Sequence, residues 1–139
     1  MLQTAITHPA LLHALGKLGH GSMVLIADGN FPFDTHTNPA AEKVYLNLRR
    51  GLVTATDVLE PLAASIPVEA AYVMQPADGS DAPIFAEFAA MLPGQTLERV
   101  ERFAFYDLAR QPQVGLVIAT GEARIYANIM LTIGVVKPD

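Results

Sequence analysis

Three short runs of apolar, strand-forming residues constrain the fold of this chain most strongly. They cover residues 23–27, 70–74 and 114–120. Runs of this length without polar alternation are typical of strands that are covered on both faces of a sheet. Helical patterns lie between them, and such alternation is typical of α/β proteins. We therefore expect an α/β fold of three layers, α/β/α, with a central sheet that is mostly parallel or mixed.

Four helical patterns are predicted before and between these strands. The first is a stripe of leucines behind Pro9 that ends at Gly19. The second is predicted to begin with Thr56 as its N-cap and the third with Ser80, because hydroxyl side chains cap helices by accepting from free backbone N–H groups. The fourth covers residues 103–110. These helices would form the two outer layers.

The other segments are predicted as an edge strand, a loop and a last strand. Residues 96–102 are mixed in polarity, which favours an edge strand, and residues 33–50 contain turn formers followed by a short alternating pattern, which favours a loop with a short strand. Residues 125–136 are apolar apart from Tyr126, Asn128 and a few others. In an extended segment, Tyr126 and Asn128 face the same side because side chains alternate along a strand.

The composition excludes several classes of protein. A length of 139 residues is below the roughly 150 residues of an average domain, so we expect a single domain over residues 1–139. The chain has no cysteine, which excludes disulfides and thiol nucleophiles, and its net charge of -5 has the wrong sign for binding nucleic acid. No apolar run reaches the roughly 18–20 residues of a membrane span. We expect a cytoplasmic protein with no nucleic-acid or membrane partner.

The low content of charge points to contacts between subunits. Charged residues make up 17% of the chain, whereas soluble domains average about 25%, and apolar residues make up 51%. We expect a homo-oligomer in which the excess apolar surface is covered by further copies of the chain.

Four polar residues lie beside the ends of predicted strands, near which α/β proteins bind ligands. His20 precedes the first strand and Asp28 follows it, while Tyr126 and Asn128 lie near the last one. His20 is the candidate general acid or base, because the pKa of imidazole lies nearest neutrality. Asp28 is a candidate for orienting a ligand, and Tyr126 and Asn128 are candidates for holding a polyhydroxylated one.

Each of these residues has a structural alternative that the sequence leaves open. His20 would only end a helix beside the negative end of its dipole. Asp28 would only form an Asx turn with the glycine and asparagine that follow it. Tyr126 would only pack in the core, and Asn128 would only bond backbone groups.

Two further clusters have weaker support as functional sites. His20, Asp34 and His36 would offer three metal ligands, but no recognised metal-binding spacing supports them, and we expect no metal ion and no cofactor. Arg49 and Arg50 are interpreted as a surface pair and not as an anion clamp, and the alternative is that they enter the mouth of a site next to Gly51.

Several segments together resemble the ribose-pyranase and fucose-mutarotase family, the RbsD/FucU sugar proteins. In the family's order they are Leu18-Gly-His-Gly21, Ala27-Asp-Gly-Asn-Phe-Pro32, Arg102-Phe-Ala-Phe-Tyr106, Thr120-Gly-Glu122 and Tyr126-Ala-Asn-Ile129. The segment from Arg102, with the Met-Leu start and the His-Gly pair, resembles the fucose-mutarotase branch more closely. The resemblance implies a cofactor-free sugar protein that forms homo-oligomers up to decameric rings, with its sites near subunit contacts.

The resemblance also implies a role for each matching residue. His20 matches the family's proton-donating histidine and Asp28 its sugar-contacting aspartate. Arg102 lies where the fucose branch has a sugar-binding arginine, and Tyr126 and Asn128 belong to the sugar-binding tripeptide. We expect a mutarotase for L-fucose or a related pyranose in which His20 and Tyr126 transfer protons and the other residues, with Tyr126, hold the sugar. The alternative is a non-catalytic monosaccharide-binding protein associated with sugar transport or its regulation.

Two features depart from the family's pattern. Asn30 stands before Phe-Pro, where fucose mutarotases typically have histidine, and the segment over residues 33–51 is longer than we expect. Both follow directly on Asp28, so both bear on which sugar is bound.

Overall fold

The centre of the fold is a six-stranded sheet flanked by four helices, in a computed structural model that describes residues 1–139. The strands are β1 (Met23–Ala27), β2 (Glu42–Tyr45), β3 (Val68–Gln75), β4 (Leu97–Glu101), β5 (Val114–Ala119) and β6 (Ile129–Ile133). The helices are α1 (Pro9–Gly16), α2 (Ala55–Ala63), α3 (Ile84–Met91) and α4 (Arg102–Ala109). The class is therefore α/β, as expected.

The sheet is mixed, because one strand runs against all the others. The strand order is β2-β5-β1-β6-β3-β4. Pairing is parallel between β2 and β5, β5 and β1, and β3 and β4, whereas β6 is antiparallel to both β1 and β3. Every strand except β6 therefore points in one direction, and all of them end at the same edge of the sheet.

Both faces of the sheet are covered, which gives the three expected layers. All residues of β1 are buried, and they alternate between two apolar clusters because successive side chains point to opposite faces. Val24 and Ile26 belong to the larger cluster, which α1, α2 and α3 complete. Leu25 belongs to the smaller cluster together with Phe105 of α4.

The N-cap of helix α2 is Thr54 and not the predicted Thr56, two residues later. The Thr54 hydroxyl accepts a hydrogen bond from the Asp57 N–H at 3.1 Å, and the Asp57 carboxylate accepts one from the Thr54 N–H at 3.0 Å. This reciprocal capping box satisfies two N–H groups at once, whereas a cap at Thr56 has no such partner.

The predicted cap of α3 is also wrong. Ser80 donates its hydroxyl to the Asp78 carboxylate at 2.6 Å and its backbone N–H to the same oxygen at 2.9 Å, so it belongs to the turn after β3. The helix begins only after Pro83, which makes no side-chain cap. The fixed φ of proline is suited to a helix start without a hydroxyl cap.

The segment over residues 33–50 is mostly irregular and contributes the short edge strand β2. Residues 97–101 form the opposite edge strand, as predicted. The longest helix has 9 residues, and no helix has the length or apolar character needed to cross a membrane.

Candidate functional site

One edge of the sheet collects most of the candidate residues. Asp28 follows the end of β1 and Arg102 follows the end of β4. Because β6 runs in the opposite direction, it begins at this edge, and Tyr126 and Asn128 lie just before it. The mixed topology therefore brings together residues that lie about a hundred positions apart in the chain.

These four residues line one cavity of about 250 Å³, which we call the Asp28 cavity. Its other lining residues are Asn30, Phe31, Met74, Tyr106 and Ile125. The lining thus combines polar groups with aromatic and apolar side chains. A small number of polar groups in a partly apolar cavity is typical of small-molecule sites.

The floor of the cavity is a pair of hydrogen-bonded side chains. Asn128 Oδ1 accepts a hydrogen bond from the Asp28 N–H at 2.7 Å, and Asn128 Nδ2 donates to Asp28 Oδ2 at 3.2 Å. Asp28 Oδ1 accepts from the Asn30 N–H at 3.0 Å, and Oδ2 accepts from the Ala127 N–H at 3.2 Å. Asp28 therefore forms the Asx turn and also lines the cavity, so the turn does not exclude the alternative that Asp28 orients a ligand.

Asp28 is buried, and only 3% of the residue is exposed to solvent. Burial raises its pKa above the ordinary value, against the opposing effect of hydrogen bonds from the Asn30, Ala127 and Phe31 backbone and from Asn128.

Tyr126 reaches the cavity through a turn and not through a strand. Its φ is 58°, in the left-handed region that residues other than glycine adopt only rarely, and β6 begins three residues later at Ile129. The expectation that Tyr126 and Asn128 share a face by strand alternation is therefore wrong, although both line the same cavity. A conformation of this kind costs on the order of 1–3 kcal/mol and is often found at functional sites.

Arg102 is the first residue of α4 and lies among aromatic rings. Its Nε donates to the Tyr106 hydroxyl at 3.4 Å, and its guanidinium lies 5.5 Å and 5.7 Å from the ring centroids of Phe103 and Tyr106. The hydrogen bond to Tyr106 raises its pKa further, so the group is always charged. The Phe31 ring packs against the Tyr106 ring at 5.4 Å between ring centroids, and both rings line the Asp28 cavity.

His20 lies at the other edge of the sheet. It precedes β1 whereas Asp28 follows it, and the five residues of β1 at about 3.3 Å each separate the two by roughly 16 Å. Its Nε2 lies 3.0 Å from Glu69 Oε2, and its side chain is 58% exposed. It does not end α1, whose C-cap is Lys17. Within one chain, therefore, His20 does not meet the other candidates.

His20 lines a separate, largely apolar hollow of about 580 Å³. Leu12, Val135 and Val136 lie in this hollow and are exposed. Asp34 and His36 lie elsewhere: the Asp34 carboxylate accepts a hydrogen bond from the Tyr45 hydroxyl, and the His36 ring lies 5.1 Å from the Tyr106 ring. The structure does not bring the three residues of the metal alternative together.

A second cavity opens at the same edge as the Asp28 cavity, and at the level of the sequence only the alternative interpretation of Arg49 and Arg50 pointed to it. It has a volume of about 560 Å³ and includes Asn30, Asn47, Arg49, Arg50 and Glu122 in its lining. We call it the arginine cavity. The signals for it were the paired arginines and the long 33–51 segment, but neither indicates which part of the chain they would contact.

Comparison with known proteins adds a family and a fold. A family model described as the RbsD / FucU transport protein family matches residues 1–136. Fucose mutarotase of Danio rerio is 30% identical, over 97% of this chain and 93% of that protein. D-ribose pyranase of Paracidovorax citrulli is 34% identical, over 97% of this chain and 98% of that protein.

A solved structure has the same architecture. The fucose mutarotase of Streptococcus pneumoniae, in complex with L-fucose, superposes with a TM-score of 0.82 at 25% identity, over 99% of this chain and 100% of that chain. The fold inferred from the short motifs is thereby confirmed over the full length.

Proposed function

The chain belongs to the RbsD/FucU family, and from this premise we propose that it is a cofactor-independent sugar mutarotase acting on L-fucose or a related pyranose. One observation carries the proposal: the four residues that match the family's sugar-binding positions line a single cavity. At about 250 Å³ this cavity is smaller than the roughly 300–1,000 Å³ of sites for drug-sized ligands, which suits a monosaccharide.

The Asp28 cavity offers the contacts that a sugar ring requires. Asp28 and Asn128 present carboxylate and amide groups to hydroxyls, and the Arg102 guanidinium donates further hydrogen bonds. Phe31 and Tyr106 offer rings that can cover an apolar sugar face. Related proteins support this assignment, since one is a fucose mutarotase and another was solved with L-fucose.

Mutarotation needs two coupled proton transfers. A proton is placed on the ring oxygen while another leaves the anomeric hydroxyl, the bond between the anomeric carbon and the ring oxygen breaks, and the aldehyde rotates before the ring closes on its other face. Each positioned acid or base contributes about 10²–10⁴-fold. Tyr126, which lines the cavity, and His20 are the proposed proton-transfer groups, and Asp28 orients the sugar.

If His20 transfers a proton in the Asp28 cavity, a second copy of the chain has to bring it there, because the two lie at opposite ends of β1 within one chain. His20 lies among exposed Leu12, Val135 and Val136 at one edge of the sheet, and the exposed Phe103 and Ile125 lie near the cavity at the other edge. We propose that these two apolar surfaces contact each other head to tail, so that His20 of one copy completes the cavity of the next. A head-to-tail contact that closes forms a ring, consistent with the decameric rings that the family resemblance implies.

The proposal is tested by NMR exchange spectroscopy on the anomeric protons of L-fucose, D-ribose, D-galactose and D-glucose. The wild-type protein should accelerate exchange of at least one sugar, and His20→Ala should lose most of this acceleration while sugar binding persists. His13→Ala is a matched control, because His13 is also exposed and also lies near a carboxylate, 3.8 Å from Glu42. A His20→Ala variant with wild-type exchange rates contradicts the role of His20.

A mixing experiment tests whether the site is shared. His20→Ala and Asn128→Ala protein, each inactive alone, are unfolded together and refolded as mixed oligomers. If His20 acts on the neighbour's cavity, about one quarter of the sites in a random mixture contain both native residues, and activity returns to that level. A mixture that stays inactive, while each variant retains the native oligomer size, contradicts a shared site.

A non-catalytic monosaccharide-binding protein is the second candidate, and the position of His20 favours it. A single chain presents a complete set of sugar-binding groups without His20. This candidate predicts saturable sugar binding with no change in anomer exchange. The cytoplasmic location expected from the sequence stays a prediction.

A further inference from the structure

Three arginines have no carboxylate partner, and they lie at the edge of the sheet where both cavities open. The chain carries 14 Asp and Glu against 9 Lys and Arg, and Lys17, Arg99, Arg110 and Arg124 all form ion pairs. Arg49, Arg50 and Arg102 form none, and all of them line the arginine cavity or the Asp28 cavity. In an acidic protein, this leaves a local excess of positive charge at one edge.

The carboxylate in the arginine cavity does not pair with Arg49 or Arg50. Glu122 is 3% exposed, and its oxygens accept hydrogen bonds from the Ala55 N–H at 3.1 Å and from three nitrogens of Arg124 at 2.9–3.0 Å. These bonds go to Arg124, which also pairs with the exposed Glu87, and to Ala55, and none goes to Arg49 or Arg50. Arg49 makes only one long bond of its own, from Nη1 to the Arg50 carbonyl at 3.4 Å.

The backbone that carries these arginines is held firmly beside the cavity. The Gly51 N–H donates to the Gly121 carbonyl at 2.6 Å, and the Leu52 N–H donates to the Arg49 carbonyl at 2.9 Å. Gly121 lies so close that a Cβ there would collide with the carbonyl oxygens of Arg49 and Leu52. Position 121 therefore requires glycine, and the turn is fixed on the loop after β5.

The two cavities adjoin each other through one short loop. Of three consecutive residues, Asp28 lines the Asp28 cavity, Gly29 lines the arginine cavity and Asn30 lines both. Consecutive Cα atoms are about 3.8 Å apart, so a ligand that extends past Asn30 enters the second cavity. The side-chain amides of Asn30 and Asn47 have no hydrogen-bond partner within the chain and are exposed there.

We propose that the arginine cavity binds an anionic substituent, a phosphate or a carboxylate, of a sugar whose ring lies in the Asp28 cavity. The inference rests on the proposed function and narrows its substrate class to sugars that carry a charge. The forked donors of guanidinium groups match phosphate and carboxylate oxygens, and the two free amides supply further donors. Mutarotation needs a free anomeric hydroxyl, so the charged group belongs on another carbon, such as the exocyclic one.

The test compares anomer exchange for neutral and charged forms of the same sugars. L-galactose, D-galactose and D-glucose are each measured beside their 6-phosphate and their uronate, and the second-order rate enhancement of each charged form is divided by that of its parent. We expect this ratio to be about tenfold or more for at least one parent sugar, and to fall at high salt because exposed charges are screened. The phosphate and uronate arms show which anion the cavity accepts.

The double variant Arg49→Gln, Arg50→Gln should bring this ratio close to one. The control, Lys43→Gln with Lys137→Gln, removes the same charge from two lysines that form no ion pair and line neither cavity, and it should keep the ratio. Inorganic phosphate should compete with the sugar phosphate in the wild-type protein and in the control, and not in the double variant.

The possible failures are distinct. Faster exchange of the neutral sugars without any preference for charged forms, or a preference that survives in the double variant, overturns this inference and leaves the mutarotase proposal standing. Binding of inorganic phosphate without a preference for charged sugars overturns it as well, because the arginines then hold a free ion. No acceleration of any sugar overturns the mutarotase proposal and this inference with it.

Discussion

The Glu122 carboxylate joins α2 to the loop after β5, and its removal is a sharp test of the reasoning. Glu122 is 3% exposed and accepts hydrogen bonds from the Ala55 N–H, at the start of α2, and from Arg124. Burial opposes its ionisation, but the hydrogen bonds from Arg124 and Ala55 outweigh burial and lower its pKa from 4.5 to about 2. In Glu122→Gln, an NH₂ group replaces one of the two carboxylate oxygens. This group is itself a donor and cannot accept the hydrogen bonds that the oxygen accepted.

The expected loss follows from the pKa and from the exposure of the partner. A shift from 4.5 to about 2 corresponds to at most about 3.4 kcal/mol, at 1.36 kcal/mol per pKa unit. The Arg124 side chain is 41% exposed, so solvent screens the pair, and Arg124 keeps Glu87 as a second partner. We therefore expect Glu122→Gln to lower the free energy of unfolding by about 2 kcal/mol at pH 7, or Tm by roughly 8 °C.

The effect should depend on pH in a known direction. A carboxyl group with a lowered pKa in the folded state contributes stability above its unfolded pKa of 4.5, and this contribution is lost as pH falls toward about 2. Urea unfolding at pH 7, 5.5, 4 and 3 should show the difference between wild type and Glu122→Gln shrinking below pH 4.5.

The matched control is Glu87→Gln, which removes the other partner of Arg124. Glu87 is 51% exposed, so we expect a loss of at most about 1 kcal/mol. Equal losses for the two variants, or a loss for Glu122→Gln that is the same at pH 7 and pH 3, would refute the reasoning.

Two other predictions concern the cavity and the start of α2. Tyr126→Phe keeps the ring but removes the hydroxyl, so we expect kcat for anomer exchange to fall about 10²-fold with little change in KM, as measured by NMR; unchanged kcat would remove Tyr126 from the proton transfers. Thr54→Ala breaks the capping box and should cost about 1 kcal/mol in urea unfolding, whereas Thr56→Ala should cost clearly less. The reverse order would place the cap at Thr56.

Two helix caps predicted from the sequence, Thr56 and Ser80, were wrong for the same physical reason. Thr54 and Thr56 both lie before an apolar stripe, and only the reciprocal bonds with Asp57 distinguish them. Ser80 precedes Pro83 with suitable spacing, but its hydroxyl is held by the Asp78 carboxylate. In each case a local hydrogen bond decided where the helix begins, and sequence patterns do not report which bond forms.

In the candidate site, too, the sequence identified the residues but not where each of them lies. Asp28, Arg102, Tyr126 and Asn128 were identified from strand ends and motifs, and they do line one cavity. His20 was identified in the same way, although it lies at the opposite end of β1. Position beside a strand does not tell which other strands end at that edge.

Local patterns in the chain were sufficient for the class of the fold, most of the helices and strands, and the family, because these depend on apolar periodicity and on residues close in sequence. The antiparallel course of β6 depends on pairing with β1 and β3, which are distant in sequence. That pairing brings Asn128 to Asp28, and the contact of Gly121 with the turn at Arg49 and Leu52 forms the arginine cavity. Long-range packing alone decides such contacts, because they are stabilised only after the sheet has assembled.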